Sequence, residues 1–462
     1  MVLVNTVRFI PLSSNYSVAL SAQCASCLID FPFFVCVSRS RKAMFLRLRH
    51  HQAVLLLRRG PVHAFAAFFI GAAVIALFLS CAGVGAGCSE RNRVAFIKTH
   101  KCAGTSVQNI IMRYGYSRNL TFAIGPRDVY LGHPTRFRHD MVPDLARYGR
   151  QYHILAHHNR FSTRQEYARL LGNDVFIITI LREPMAMFES LAATLKLRGI
   201  HIDDFEDARG KGHFVSYLSG KRTDYGRIGT NQMSFDLGLP TGVMNESRAV
   251  VNFIRRLNSE LDLVLIAELM DESLVLLKHA MCWTTKDVVS FQQNARSSQF
   301  LPSRIPDKAR RAILTANYVD VALYGFFKSR LLEEIAAFGT ERMKEEVFAL
   351  RKTRMAMYGD CVDSEDSADK VFPPQFVYRA DVVGYRLKNV SRIVPAATCR
   401  QLAANELLFT NMVRRRQLMD ISAFYFARWG AAQGAAPVTS AATSSVALLL
   451  LSLQLAWRAV GG

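Results

Sequence analysis

Residues 93–114 read Arg-Val-Ala-Phe-Ile-Lys-Thr-His-Lys-Cys-Ala-Gly-Thr-Ser-Val-Gln-Asn-Ile-Ile-Met-Arg-Tyr and limit the possible folds more than any other stretch. Val94 to Ile97 is a short apolar run bounded by polar residues, which predicts a buried strand. Val107, Ile110, Ile111 and Tyr114 follow at a spacing that places all four on one helical face. A small-residue loop joins the two. A helix N-terminus offers unpaired N–H groups and partial positive charge, so strand, loop and helix in this order predict an anion cradle. Lys98, Thr99, Lys101, Gly104, Thr105 and Ser106 are the candidate binding residues: cations, hydroxyls, and a glycine that admits close backbone approach. The lysine precedes the glycine. A nucleotide-triphosphate loop has the reverse order, Gly-x-x-x-x-Gly-Lys-Ser/Thr, which argues against a kinase.

Two further stretches carry chemistry. Val175 to Leu181 is an almost continuous apolar run, as in a strand buried on both faces. Arg182 leaves its end, Pro184 suits the first turn of a helix, and Met185, Phe188, Leu191 and Leu195 mark that helix's inner side. Ser190 lies eight residues beyond Arg182. Earlier, His153 to Ala156 predicts a short strand ending in His157 and His158. Strand ends of open α/β sheets are where such folds place their chemistry, and imidazole is suited to take a proton from a hydroxyl near neutral pH. His158 is the favoured base and His157 the second candidate.

Together, Phe96-Ile-Lys-Thr-His-Lys-Cys-Ala-Gly-Thr-Ser106 and the Arg182…Ser190 pair resemble the galactose-3-O-sulfotransferase family. The resemblance spans roughly residues 93–417. It is supported by His158-Asn-Arg-Phe161, Asn231-Gln-Met-Ser-Phe-Asp-Leu-Gly238 and Asp271-Glu-Ser-Leu-Val-Leu-Leu-Lys278. It implies the sulfotransferase fold, a P-loop-like parallel sheet flanked by helices. It implies the donor 3′-phosphoadenylyl sulfate, with the loop on the 5′-phosphosulfate and Arg182 and Ser190 on the 3′-phosphate. The acceptor would be the 3-hydroxyl of a terminal galactose on a glycolipid, galactosylceramide-like, or on a glycoprotein glycan. No metal is expected. Cys102 stands where relatives more often carry threonine. A uronic-acid 2-O-sulfotransferase and a non-catalytic glycan-binding membrane protein remain alternatives. The role of Asn231–Gly238 is open between acceptor binding and a structural turn, and Glu268 reads as structural. Asn294-Ala-Arg296 is either a plain loop or one that closes over the nucleotide.

The N-terminal fifth sets the compartment. Residues 62–87 contain no Asp, Glu, Lys or Arg, and 26 helical residues reach about 39 Å, enough to cross a bilayer. Eight Lys/Arg against one acid precede this stretch within residues 1–61, which keeps that end cytosolic. The expected organisation is a cytosolic segment 1–61, a signal anchor 62–87, a lumenal sulfotransferase domain 88–430, and a linker with a short apolar tail 431–462. With the resemblance, this implies a single-pass type II protein of the Golgi membrane. Met44 is a candidate start. The tail, Val446 to Trp457, is too short to span; it mimics a lipid-anchor signal, but Arg458 and the expected signal anchor argue against one.

A formal net charge of +21 suits anionic ligands and membrane headgroups. No zinc finger, basic zipper or aromatic-studded basic run points to nucleic acid. Cys24 and Cys27 form a lone Cys-x-x-Cys. In an oxidising lumen Cys361 and Cys399 are the expected pair, and sequons at Asn119, Asn245 and Asn389 agree with that side. Residues 318–346 read as largely helical, 357–395 as polar and irregular, and 398–417 as one helix with Thr398 as N-cap.

Overall fold

Five parallel strands form one sheet in the computed structural model, which describes residues 33–36, 45–48, 54–56, 88–125, 129–145, 149–196, 222–223, 226–227, 230–293, 307–377 and 382–432. The chain divides into two units, Met1–Cys88 and Ser89–Gly462. In the first, Phe33–Cys36, Phe45–Leu48 and Val54–Leu56 form an antiparallel sheet. The expected span 62–87, the loop Asn294–Arg296 and the tail from residue 433 lie outside the described residues. Among the described residues no helix is long and apolar enough to cross a membrane.

In the second unit the strands used below are β1 (Val94–Ile97), β2 (Phe122–Ala123), β3 (Tyr130–Arg136), β4 (Ile154–Leu155), β5 (His158–Arg160), β6 (Phe176–Leu181), β7 (Leu263–Ile266), β8 (Val362–Ser367) and β9 (Val383–Leu387). The helices used below are α1 (Gly104–Ser117), α2 (Arg164–Leu171), α3 (Pro184–Lys196), α4 (Gln232–Asp236), α5 (Ser247–Glu260), α6 (Met270–Met281), α7 (Asp307–Ala316), α8 (Tyr318–Phe338), α9 (Thr340–Cys361), α10 (Ala396–Ala403) and α11 (Glu406–Ala432). The central sheet has the order β7-β6-β1-β4-β2, all pairs parallel.

The apolar runs explain this centre. Every residue of β1 and β6 is buried, as parallel strands covered on both faces require. Val107, Ile110, Ile111 and Tyr114 of α1 are at most 1% exposed. At Gly115 a Cβ would lie 2.7 Å from the Phe122 ring, so α1 sits against the sheet at a distance only glycine permits. From β1 the chain crosses to β2 on one side, and from β6 it crosses to β7 on the other. The reversal places a crevice at the C-terminal ends of β1 and β6, the position where open α/β sheets bind ligands.

Several expectations are refined. The strand before His157 shortens to Ile154–Leu155. The helical region 318–346 is broken by Gly339, whose φ of 98° ends α8 before α9 begins. Residues 357–395 are not irregular throughout: α9 continues to Cys361, and β8 pairs antiparallel with β9. Thr398 is not a cap but lies inside α10, which follows Pro395. The expected single helix is two, and Asn405 caps the second by accepting from Leu408 N at 2.9 Å.

Cys361 and Cys399 are joined, 38 residues apart in sequence. Cys88 and Cys282 are each disulfide-bonded as well. Closing the 38-residue Cys361–Cys399 loop stabilises a fold by about 4 kcal/mol in the chain-entropy account. Cys399→Ser should therefore lower unfolding stability by about 2–4 kcal/mol in urea titration, and an unchanged midpoint would show that the bridge contributes nothing.

Candidate functional site

The loop between β1 and α1 holds its shape through backbone and buried side chains. Lys101 and Ala103 both adopt left-handed backbone, φ 62° and 61°, at a cost of about 1 kcal/mol or more each. Turns of this kind direct successive N–H groups toward one concavity. No side chain caps α1, and its first turn carries no acid, so its positive end is available to an external anion. Gly104 opens the helix without a positive φ. Its role is space, because a Cβ there would lie 3.0 Å from Lys98 Cγ. Cys102 is fully buried, and its Sγ donates to His100 O at 3.3 Å across the loop. Burial pushes its thiol well up, leaving an uncharged, inert group.

Arg182 emerges from β6 beside this loop and donates from Nη1 to Lys101 O at 3.1 Å. The two anion-binding candidates, far apart in sequence, therefore share one crevice. Ser190 is part-buried on α3, the helix that follows Arg182. Thr105 is part-buried, and Ser106 Oγ accepts from Gln293 N at 3.2 Å.

Lys98 and Thr99 were expected among the donor-binding residues, but their side chains are spent elsewhere. Thr99 donates its hydroxyl to Ile180 O and ties β1 to β6. Lys98 Nζ is buried 2.6 Å from Glu406 Oε2 and 2.8 Å from Gln108 Oε1. Burial pulls the Lys98 ammonium below its usual pKa, with Glu406 opposing. The cause is the docking of α11 beneath the loop, where the pair has side-chain exposures of only 4% and 6%.

The two histidines separate cleanly. His157 is fully buried, with Nε2 2.8 Å from Thr410 Oγ1 of α11, and burial brings its pKa down to about 4. Its candidacy as base is corrected: a ring sealed against α11 reaches no acceptor. His158, at the start of β5, keeps partial exposure. Its Nδ1 lies 3.2 Å from Lys98 O, so Nδ1–H donates to the carbonyl and Nε2 carries the free lone pair. Burial first, then the charges of Lys98, His100 and His133, hold its pKa well below the ordinary imidazole value.

Asp236 is the residue that sequence reasoning missed. It lies in the stretch 231–238 whose role was open, and it is fully buried. His100 donates both its backbone N–H and Nδ1–H to Asp236 Oδ2, each at 2.8 Å. His133 Nε2 lies 3.2 Å from Oδ1, and Gln232 Nε2 donates there at 2.8 Å. Burial would push the Asp236 carboxyl up, but the two histidines outweigh it and hold it well below the carboxylate range. Asp320 of α8 fixes α4 by accepting from Met233 N, Ser234 N and Ser234 Oγ. One ligating atom from each of His100, His133 and Asp236 falls within 4.8 Å of the others. The sequence shows no such cluster, and the carboxylate is already taken by four donors. His100 stacks on His158 with ring centroids 4.5 Å apart, and Tyr130 stacks on His158 at 4.9 Å.

The family model for galactose-3-O-sulfotransferase matches residues 35–417. Galactosylceramide sulfotransferase of Bos taurus is 31% identical over 369 residues, covering 74% of this chain and 81% of that one. Galactose-3-O-sulfotransferase 3 of Mus musculus is 31% identical over 344 residues, with 70% and 78% covered. Galactose-3-O-sulfotransferase 2 of Sus scrofa is 30% identical over 348 residues, with 71% and 84% covered.

Truncating one partner of a buried ion pair leaves the other charge uncompensated, typically a loss of about 3–5 kcal/mol. Glu406→Ala should lose stability on that scale in chemical denaturation. The double variant Lys98→Met with Glu406→Leu should recover most of it. A single variant as stable as the parent would show that Lys98 finds another partner.

Proposed function

The chain belongs to the galactose-3-O-sulfotransferase family, and from that premise we infer that it transfers a sulfuryl group from 3′-phosphoadenylyl sulfate to the 3-hydroxyl of a terminal β-galactose. The observation that carries the reading is the bond between Arg182 and the carbonyl of Lys101, which joins two anion-binding groups in one crevice at the strand reversal. A donor with phosphates at both ends of an adenosine needs two such groups side by side. The acceptor is a galactose-terminated glycolipid or glycan, as the names of the relatives suggest.

In this reading the uncapped N-terminus of α1, with Thr105 and Ser106, holds the 5′-phosphosulfate. Arg182 and Ser190 take the 3′-phosphate, for which a guanidinium offers a fork of donors. The acceptor oxygen forms its bond to sulfur as the bond from sulfur to the donor phosphate breaks. Lys101 neutralises the charge that develops on the leaving phosphate, and His158 Nε2 receives the hydroxyl proton. Electrostatic stabilisation of this kind is usually the larger contribution, and a general base adds about 10²–10⁴ in rate. The protein's residues supply both without invoking a metal.

We place this unit, residues 88–430, in the Golgi lumen behind a signal anchor at 62–87. The Cys361–Cys399 bridge supports an oxidising compartment.

The deciding experiment incubates the purified chain with sulfate-labelled donor and a panel of terminal galactosides and uronic-acid acceptors. Label should appear on the galactose 3-position, and label on uronic acid alone would overturn the assignment. Lys101→Ala should reduce turnover by about 10²–10³-fold, whereas Arg182→Ala should chiefly raise the KM for donor. His158→Gln should lower kcat by about 10²–10⁴ with donor KM nearly constant; full turnover in that variant would move the base elsewhere.

A further inference from the structure

We propose that His100, fixed by Asp236 and backed by His133, is a positioning residue for His158: it sets the plane of the reacting ring and keeps its outer nitrogen free of a proton in mildly acidic medium. The proposal rests on the reading of His158 as the base.

Three observations converge. The ring of His100 lies nearly parallel to that of His158, at 23° and 4.5 Å between centroids. It cannot turn, because its backbone N–H and Nδ1 are both committed to Asp236 Oδ2. Its other nitrogen, Nε2, is buried without a hydrogen-bond partner, as is Nδ1 of His133. An immobile imidazole is thus held against one side of His158, while Lys98 O holds Nδ1 of His158 in place.

The electrical consequence follows from the same arrangement. The groups facing His158 are His100 and Lys98 on the loop, Tyr130 and His133 from β3, and Asp236 from α4. Asp236 is the one carboxylate in that set, and its oxygens serve His100, His133 and Gln232. A proton on His158 would therefore lie beside Lys98 with no carboxylate of its own to offset it. Lys98, His100 and His133 each disfavour the protonated ring, adding to its burial. The base stays unprotonated where an ordinary histidine would be half charged.

The test is the pH dependence of kcat/KM for the galactoside at saturating donor, measured on the purified full-length chain. In the parent protein the acidic limb should lie clearly below the ordinary imidazole value of about 6.5; a limb at or above that value overturns the proposal without any variant. In His100→Asn the limb should move up by about half a pH unit or more, so that proportionally more rate is lost at pH 5.5 than at pH 8. His133→Asn, a substitution outside the phosphate loop, should shift it in the same direction by less. Donor-product affinity and thermal melting of each variant report whether the loop is intact. An equal loss at every pH, or a limb that stays put in a folded variant, would reduce His100 to a structural role. Failure of His158→Gln to lose activity would instead overturn the underlying reading of the base.

Discussion

The parallel pairing of β1 with β6 governs everything at the site. Its register sets Ile97 opposite Thr179, so the residues that leave the two strands emerge at nearly the same level. Two threonine hydroxyls reinforce the seam from opposite sides. Thr179 donates to Ile97 O at 2.8 Å, and Thr99 donates to Ile180 O. A slip of one residue would turn every β1 side chain to the other face and carry Lys101 away from Arg182. Thr99 thus contributes to the crevice by fixing geometry, not by touching an anion.

A second layer of buried polar groups supports the loop from below. Lys98 with Glu406, and Asp236 with His100 and His133, are held apart from solvent. Buried charges of this kind add little net stability once their desolvation is counted. Their effect is orientational: each ties the loop between β1 and α1 to a distant element, α11 in one case and α4 in the other. The left-handed residues Lys101 and Ala103 carry a conformational cost, and these ties are what hold them in place. Arg182 stands beside the loop, while Glu406 and Asp236 are buried beneath it. Under the proposed function an anionic donor would meet positive charge there, and His158 would keep its lone pair.

Much of this was legible in the chain. The apolar runs Val94–Ile97 and Val175–Leu181 gave the two central strands almost to the residue, because strands buried on both faces must be apolar throughout. The helical spacing of Val107, Ile110, Ile111 and Tyr114 placed α1, and the polar, hydroxyl-rich loop marked a candidate anion site. The C-terminal region was read less well. Thr398 has the residue type of a cap, but the side chain that performs that role belongs to Asn405. The hairpin of β8 and β9 hides in polar sequence because one strand is largely exposed and so lacks an apolar pattern.

Local pattern therefore determined the strand–loop–helix, the lysine-first loop and the arginine at the second strand end, since each depends on neighbours a few residues away. Tertiary structure alone decided which polar side chains face the crevice. Lys98 turned inward because Glu406, 308 positions later, arrives beneath it. His157 and His158 are adjacent in sequence, yet alternation along the backbone sends one into α11 and the other toward the loop. Asp236 became the anchor of two histidines only once the chain had folded across 136 and 103 residues. Hydrogen bonds and ion pairs act through space, and no periodicity in a sequence records who will stand beside whom.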